Sequence, residues 1–223
     1  MNFISVMEII GTVAFAVSGA LVAIDKKLDY YGILFLAIIT AVGGGIVRDV
    51  IISLPLPLAL ENPLYVIISI VSAICVILFY KWVNKLQSLI NIFDAVGLAA
   101  FTAIGARAAL NNDMYTPFVV ITLALLTGTG GGILRDVFVK EIPFVFRKEV
   151  YAVASIAGSA AFLAAHLYCG LEATMYICFG VTLAIRLVSI NFNWHLDTVN
   201  TAAEAGSEKA MEGKENVREK NEE

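Results

Sequence analysis

Apolar runs of about twenty residues, separated by short clusters of charge, proline and asparagine, set the plan of this chain. Seven runs stand out: Phe3 to Ile24, Tyr30 to Ile52, Leu64 to Tyr80, Ile92 to Leu110, Pro117 to Val139, Val150 to Leu167 and Leu171 to Ile190. A helix rises about 1.5 Å per residue, so roughly 20 residues cross the hydrocarbon of a bilayer. The runs lack the sustained two-residue alternation of a transmembrane barrel, and therefore predict helices. The expected fold class is an all-α polytopic membrane protein with seven transmembrane helices.

Composition agrees and removes the soluble alternatives. Hydrophobic residues make up 59% of the 223 residues, and the mean hydropathy is +0.83, far above a water-soluble domain. Met1-Asn2-Phe3 lacks a basic leader and no small-residue cleavage site follows, so the first run is expected to stay as a span. Loop charge gives an orientation, because short cytoplasmic loops collect Lys and Arg. Lys26, Lys27, Lys81, Lys85, Lys140, Arg147 and Lys148 fall on one side, and Glu61, Asp113 and Glu172 on the other. The N terminus is thus expected outside and the C terminus inside, in a cell (inner) membrane if the source is bacterial.

From about Asn191 the character changes. Residues 191–223 hold eight acidic and four basic residues, an excess that equals the whole formal charge of −4. The expected organisation is one transmembrane domain over residues 1–190 and a polar acidic cytoplasmic tail over 191–223. Cys75, Cys169 and Cys178 read as small packing residues rather than disulfides or ligands.

The transmembrane part is written twice. Gly43-Gly44-Gly45-Ile46-Val47-Arg48-Asp49-Val50 returns as Gly130-Gly131-Gly132-Ile133-Leu134-Arg135-Asp136-Val137. Gly11, Phe15, Gly19 and Ala20 likewise return as Gly97, Phe101, Gly105 and Ala106, and Tyr65 as Tyr151, at offsets of 86 or 87 residues. One unit covers about 8–80 and the other about 94–167, each with three spans. An odd number of spans makes the second copy enter from the opposite side, so an inverted 3+3 repeat is expected, with the helix near 171–190 outside it.

Glycine in a membrane helix usually serves close packing, and that reading suits Gly11, Gly19, Gly97, Gly105 and Gly158. Three in succession forfeit roughly 1 kcal/mol each of helix stability and point around the helix rather than along one face. The expectation is that the second and fifth spans break at Gly43, Gly44 and Gly45 and at Gly130, Gly131 and Gly132. Freed carbonyls there would replace the water shell of a monovalent cation, with pure packing as the alternative. Thr40, Thr127 and Thr129 precede the glycines and either face an ion path or bond their own helix.

An arginine in hydrocarbon costs about 2.5–3.5 kcal/mol on insertion scales, yet the chain places Arg48 and Arg135 beside apolar runs, each followed by an aspartate. Neighbours on a helix diverge by about 100°, so Arg48 with Asp49 and Arg135 with Asp136 need not form in-helix pairs. Each unit is expected to shape a vestibule or gate on its own side, or simply to hold a kink through carbonyls. Glu8 and Asp94, at matched positions, either line a cavity or sit solvated at the interface. Arg186 is expected to snorkel. His166 and His195 receive no site. No fixed structural metal or cofactor is expected, only transient K+ or Na+ near the glycines. Neither a nucleophile–base pair nor a phosphate-cradling loop is present, so an enzyme is not expected, nor a nucleic-acid partner.

The duplicated three-span unit and its glycine-Arg-Asp motif occur with Asp94-Ala95-Val96-Gly97-Leu98 before Phe101, and with Glu141-Ile142-Pro143 before Tyr151-Ala152. In these the chain resembles the prokaryotic branch of the trimeric intracellular cation (TRIC) channels over about residues 5 to 190. The resemblance implies a homotrimer in membrane lipid. Each protomer would have its own pore, lined by the two broken helices and conducting K+ and, less selectively, Na+. Animal members carry Lys-Glu-Val before the second glycine run. Here that loop reads Asn111-Asn112-Asp113 and Lys148-Glu149-Val150 comes after the glycines, so lipid gating is not carried over. Bacterial relatives have been labelled glycine transporters, and broken-helix repeats also serve carriers. A small amino acid carrier therefore stays open as the alternative, and a non-transporting scaffold as a third.

Overall fold

The computed structural model describes residues 3–82, 85–147 and 150–192. The expectations for the acidic tail from 193 onward, His195, Lys148 and Glu149 lie outside the described residues.

Helices α1 (Phe3–Asp25), α2 (Tyr30–Ile51), α3 (Leu58–Glu61) and α4 (Leu64–Phe79) are followed by a 3-10 turn at Tyr80–Trp82. Then come α5 (Leu86–Asn111), α6 (Pro117–Phe138), α7 (Phe144–Arg147), α8 (Val150–His166) and α9 (Leu171–Phe192). Among the described residues six helices are long and apolar enough to cross a membrane; α8, apolar over 17 residues, falls just short. Large apolar side chains such as Phe118, Leu78 and Trp82 stand exposed. In water such a surface would aggregate, whereas lipid solvates it. The chain is an integral membrane protein.

Helix ends follow local chemistry. Asp29 caps α2 by accepting from the Gly32 N–H at 2.7 Å, and Pro117 opens α6, where its missing N–H is no loss. Four helices end on a residue in the left-handed region: Lys27, Ser53, Asp113 and Lys140. After each, the next N–H reaches back to a carbonyl five residues earlier, as from Leu28 to Ala23 and from Glu141 to Asp136. This is a Schellman closure made without glycine.

The two most buried spans, α1 and α5, lie at the centre. Phe15 of α1 stacks on Phe101 of α5 with ring centroids 5.3 Å apart. Phe101 lies over Gly11 and Phe15 lies over Gly97, so each aromatic occupies the space that the other helix's glycine leaves open. Gly19 meets Thr40 as Gly105 meets Thr127. These glycines are packing residues, as is Gly158, which receives Thr182 of α9.

The glycine runs depart from expectation. Both α2 and α6 are continuous helices through Gly43–Gly45 and Gly130–Gly132, with no break and no glycine at positive φ. The physical reason is that the two helices cross there backbone to backbone. A methyl group at Gly44 would meet the Thr127 carbonyl, and one at Gly131 would meet the Thr40 carbonyl. At Gly43 it would strike Leu134, and at Gly130 it would lie 3.0 Å from the Gly44 Cα. The third residue of each run differs: a methyl group at Gly45 would have only Arg48 Nη2 nearby, at 3.8 Å, while one at Gly132 would meet the Tyr151 hydroxyl at 2.8 Å. Close packing, the alternative reading, accounts for the runs, and their carbonyls stay engaged within the helices.

Gly180 gives a contrasting case, since nothing lies within 4 Å of a Cβ placed there in mid-α9. Gly180→Ala is expected to stabilise by about 0.5–1 kcal/mol through helix propensity, visible as a thermal midpoint raised by about 2 °C. A lowered midpoint would mean that a second subunit covers this face.

Candidate functional site

Each copy of the Arg-Asp motif ends its helix and is folded back upon by the chain that follows. Asp49 accepts from Arg48 Nε at 2.8 Å through one carboxylate oxygen and from the Leu58 N–H at 2.9 Å through the other. Asp136 does the same with Arg135 Nε at 2.8 Å and the Phe144 N–H at 2.9 Å. Pro57 and Pro143 stand immediately before those amides and fix the local φ. Each aspartate thereby anchors the start of a one-turn helix, α3 or α7. Helix geometry alone left the Arg-Asp pairing open, and the structure forms it in both copies. The arginine stem spans the angular offset once the returning backbone amide holds the carboxylate in place.

Beyond this shared part the copies differ. Arg135 is fully buried and donates through Nη1 to Asp94 at 2.7 Å and to Ser18 at 2.6 Å, with its guanidinium 4.7 Å from the Phe144 ring centroid. Arg48 is 6% exposed, and its ion pair is with Asp49. Glu8 accepts instead from the Tyr65 hydroxyl at 2.7 Å. Asp94, expected either in a cavity or solvated, is buried in an ion pair. Arg186, expected to snorkel, is 1% exposed and lies 4.7 Å over the Tyr151 ring.

Two cavities flank this arrangement. One of about 40 Å³ is lined by Glu8, Thr12, Gly45, Arg48, Asp49 and Tyr65 among others. A second of about 320 Å³ is lined by Asp25, Lys26, Gln87, Asp136, Glu141 and Phe144 among others. On α1 the lining residues stop at Thr12 and resume at Val22, while Phe15, Ser18 and Gly19 between them are packed. The two Arg-Asp units thus open toward opposite ends of α1. Lys26 and Glu141 form an ion pair at 2.6 Å beside the second cavity, each about a third exposed. A pair so wetted contributes little stability.

Of the residues singled out in the sequence, Arg48, Asp49 and Glu8 come together at one cavity and Asp136 lines the other. Arg135 and Asp94 are sealed beside it. The hydroxyls of Thr40, Thr127 and Thr129 do not point into a free path. They donate to the carbonyls of Leu36, Leu123 and Leu125 at 2.6, 2.6 and 2.8 Å. Tyr65, Tyr151, Ser18 and Arg186 are partners that motif reading did not select, although the matched Tyr65 and Tyr151 carried a signal in their spacing.

Comparison with known proteins places this arrangement. The family model described as "Glycine transporter" matches residues 5–81 and again 91–167. The inner membrane protein YadS of Escherichia coli K12, designated UPF0126, is 36% identical over 85% of this chain and 92% of its own length. The UPF0126 membrane protein YvgT of Bacillus subtilis is 39% identical over 85% of this chain and 93% of its own. Among solved structures, the TRIC trimeric intracellular cation channel orthologue from Rhodobacter sphaeroides superposes with a TM-score of 0.82. It is 30% identical, over 87% of this chain and all of that one. A prokaryotic TRIC channel in 0.5 M KCl gives 0.82 at 35% identity, over 86% and 98%. These matches establish that the chain belongs with the UPF0126 membrane proteins to the prokaryotic TRIC channel family.

Proposed function

We propose that the chain is a homotrimeric monovalent cation channel with an ion path for K+ and Na+ inside each protomer. The observation that carries this reading is the pair of cavities at opposite ends of α1, each touching one Arg-Asp unit, with the glycine crossing of α2 and α6 between them. Seven spans in an inverted 3+3 arrangement plus α9 suit this plan, because inversion sends the two motifs to opposite membrane faces. Reciprocal contacts such as Gly44 with Thr127 and Gly131 with Thr40 support that arrangement.

In this conformation the path is shut where Phe15, Phe101 and the glycine crossing pack together. Conduction therefore requires α2 and α6 to separate slightly rather than an ion to bind glycine carbonyls. Carboxylates in a low-dielectric funnel concentrate cations, and Glu8 with Asp49 would do so in the first cavity. Membrane lipids surround the trimer, and the N terminus lies outside by loop charge. The similar solved structures are TRIC channels, which favours this reading over a carrier for glycine or another small amino acid.

The test is single-channel recording of the purified protein in planar bilayers under a KCl gradient, beside glycine uptake into vesicles. Discrete steps reversing near the K+ equilibrium potential are expected. Glu8→Gln should lower the unitary conductance roughly threefold at low salt, with the deficit shrinking near about 1 M KCl as screening takes over. Silence in the bilayer with saturable glycine uptake would overturn the channel.

A further inference from the structure

The two Arg-Asp clusters are built alike and differ by one charge. Tyr65 lines one cavity with Glu8, Arg48 and Asp49, which sum formally to one negative charge. Tyr151 stands with the matched Asp94 beside Gly132, Arg135 pairs with both Asp94 and Asp136, and Arg186 lies 4.7 Å over the Tyr151 ring. The fourth group brings the second cluster to zero. Arg186 comes from α9, the helix outside the duplicated units, and the seating of Thr182 against Gly158 one turn earlier fixes where it arrives.

Its surroundings match a compensating role. Arg186 is almost wholly buried, and no carboxylate forms a salt bridge with it among the described residues. Its Nε and Nη2 have no hydrogen-bond partner there. A guanidinium placed so deep without a direct ion pair needs a net negative field around it. The triad of Asp94, Arg135 and Asp136 supplies that field. Asp94 Oδ2 and the Tyr151 hydroxyl are buried and unpartnered, and the Asp94 carboxylate and that hydroxyl both lie beside Gly132. Without Arg186 they would present a carboxylate and a hydroxyl oxygen to a cation inside a net-negative pocket.

We propose that Arg186 is a positioning residue that neutralises the second cluster, leaving Glu8–Arg48–Asp49 as the net-negative station where a permeating cation dwells. The proposal rests on the channel reading above. Conduction needs binding strong enough to admit an ion and weak enough to release it, and a second net-negative station would act as a trap.

The experiment records unitary conductance against KCl concentration for the full chain as wild type, Arg186→Gln, Arg186→Met and Arg186→Lys. It also measures thermal stability in KCl against N-methylglucamine chloride at equal ionic strength. Removing the charge is expected to lower the half-saturating K+ concentration roughly fivefold and to reduce the limiting conductance by a similar factor. The thermal midpoint should become correspondingly more K+-dependent, with Arg186→Lys restoring wild-type values in both readouts. Equal shifts in the Gln, Met and Lys variants, or none, would overturn the proposal while wild-type currents keep the channel reading intact. If the wild type carries no current, the channel reading fails and the K+-specific stability still decides the charge assignment. Should neither neutral variant fold, Glu8→Gln decides: K+-specific stabilisation lost there supports the proposal, and its persistence overturns it.

Discussion

Gly131→Ala and Gly44→Ala are each expected to destabilise the protein by about 3 kcal/mol, lowering the thermal midpoint in detergent by about 10 °C. Gly45→Ala is expected to shift it by no more than about 2 °C. The difference follows from what an added methyl meets. At Gly44 and Gly131 it meets a backbone carbonyl of the opposite helix, which cannot rotate away as a side chain does. The two helices must then part, and both copies of the contact loosen together because the crossing is reciprocal. At Gly45 the nearest atom is the far end of Arg48, 3.8 Å away, and the gain in helix propensity offsets what little is lost. A break at the glycine runs would give a different pattern, with all three positions sensitive through their backbone freedom. Thermal unfolding of the three variants, with the state of assembly followed by size-exclusion chromatography, separates the two. Equal sensitivity at Gly44 and Gly45 would sink the crossing. For the same reason leucine at Gly44 or Gly131 is expected to prevent assembly rather than to block a formed pore.

Gly44 and Gly45 also show where sequence legibility ended. Hydropathy located the membrane helices because lipid demands long apolar runs with every backbone group paired internally. Spacing exposed the matched units because duplicated packing keeps its glycines and aromatics in register, as with Phe15 and Phe101. Adjacent glycines, however, have no side chain to declare a partner. Whether such a run breaks a helix or admits a neighbour depends on the helix opposite, and that is not local information. Pairing of Arg48 with Asp49 was hidden for a related reason. The amide that fixes the carboxylate belongs to Leu58, nine residues on and around a proline turn. Arg186 looked peripheral because it has no counterpart in the other unit, yet its burial depends on α8 and α9 packing through Gly158. Thr40 and Thr127 had both readings available, and their own helices provided the nearer acceptor.

Asp94→Asn is expected to be among the most damaging single changes in the chain, lowering stability by about 3–5 kcal/mol and the thermal midpoint by about 10–15 °C. Asp94 and Arg135 are both wholly buried and 2.7 Å apart. Desolvating two charges is repaid only while both are present, so removing one leaves the other uncompensated. The loss is aggravated by Arg186, which after the change faces a cluster with one carboxylate for two guanidinium groups. Glu8→Gln at the matched position is expected to cost less than about 1 kcal/mol. Glu8 is half-buried beside a cavity and bonded to a tyrosine hydroxyl, and an amide oxygen still accepts that bond. One unit therefore concentrates stability in its charges, and under the proposed channel function the other leaves them available to an ion. A double change tests the coupling. Asp94→Asn with Arg186→Gln restores electrical balance and is expected to recover about half of the lost midpoint, a non-additivity that contacts at separate sites would not give. Thermal unfolding of both single variants and the pair measures it. Strict additivity would mean that Arg186 is held by packing alone, and equal damage at Glu8 and Asp94 would mean that the two units do not divide their work.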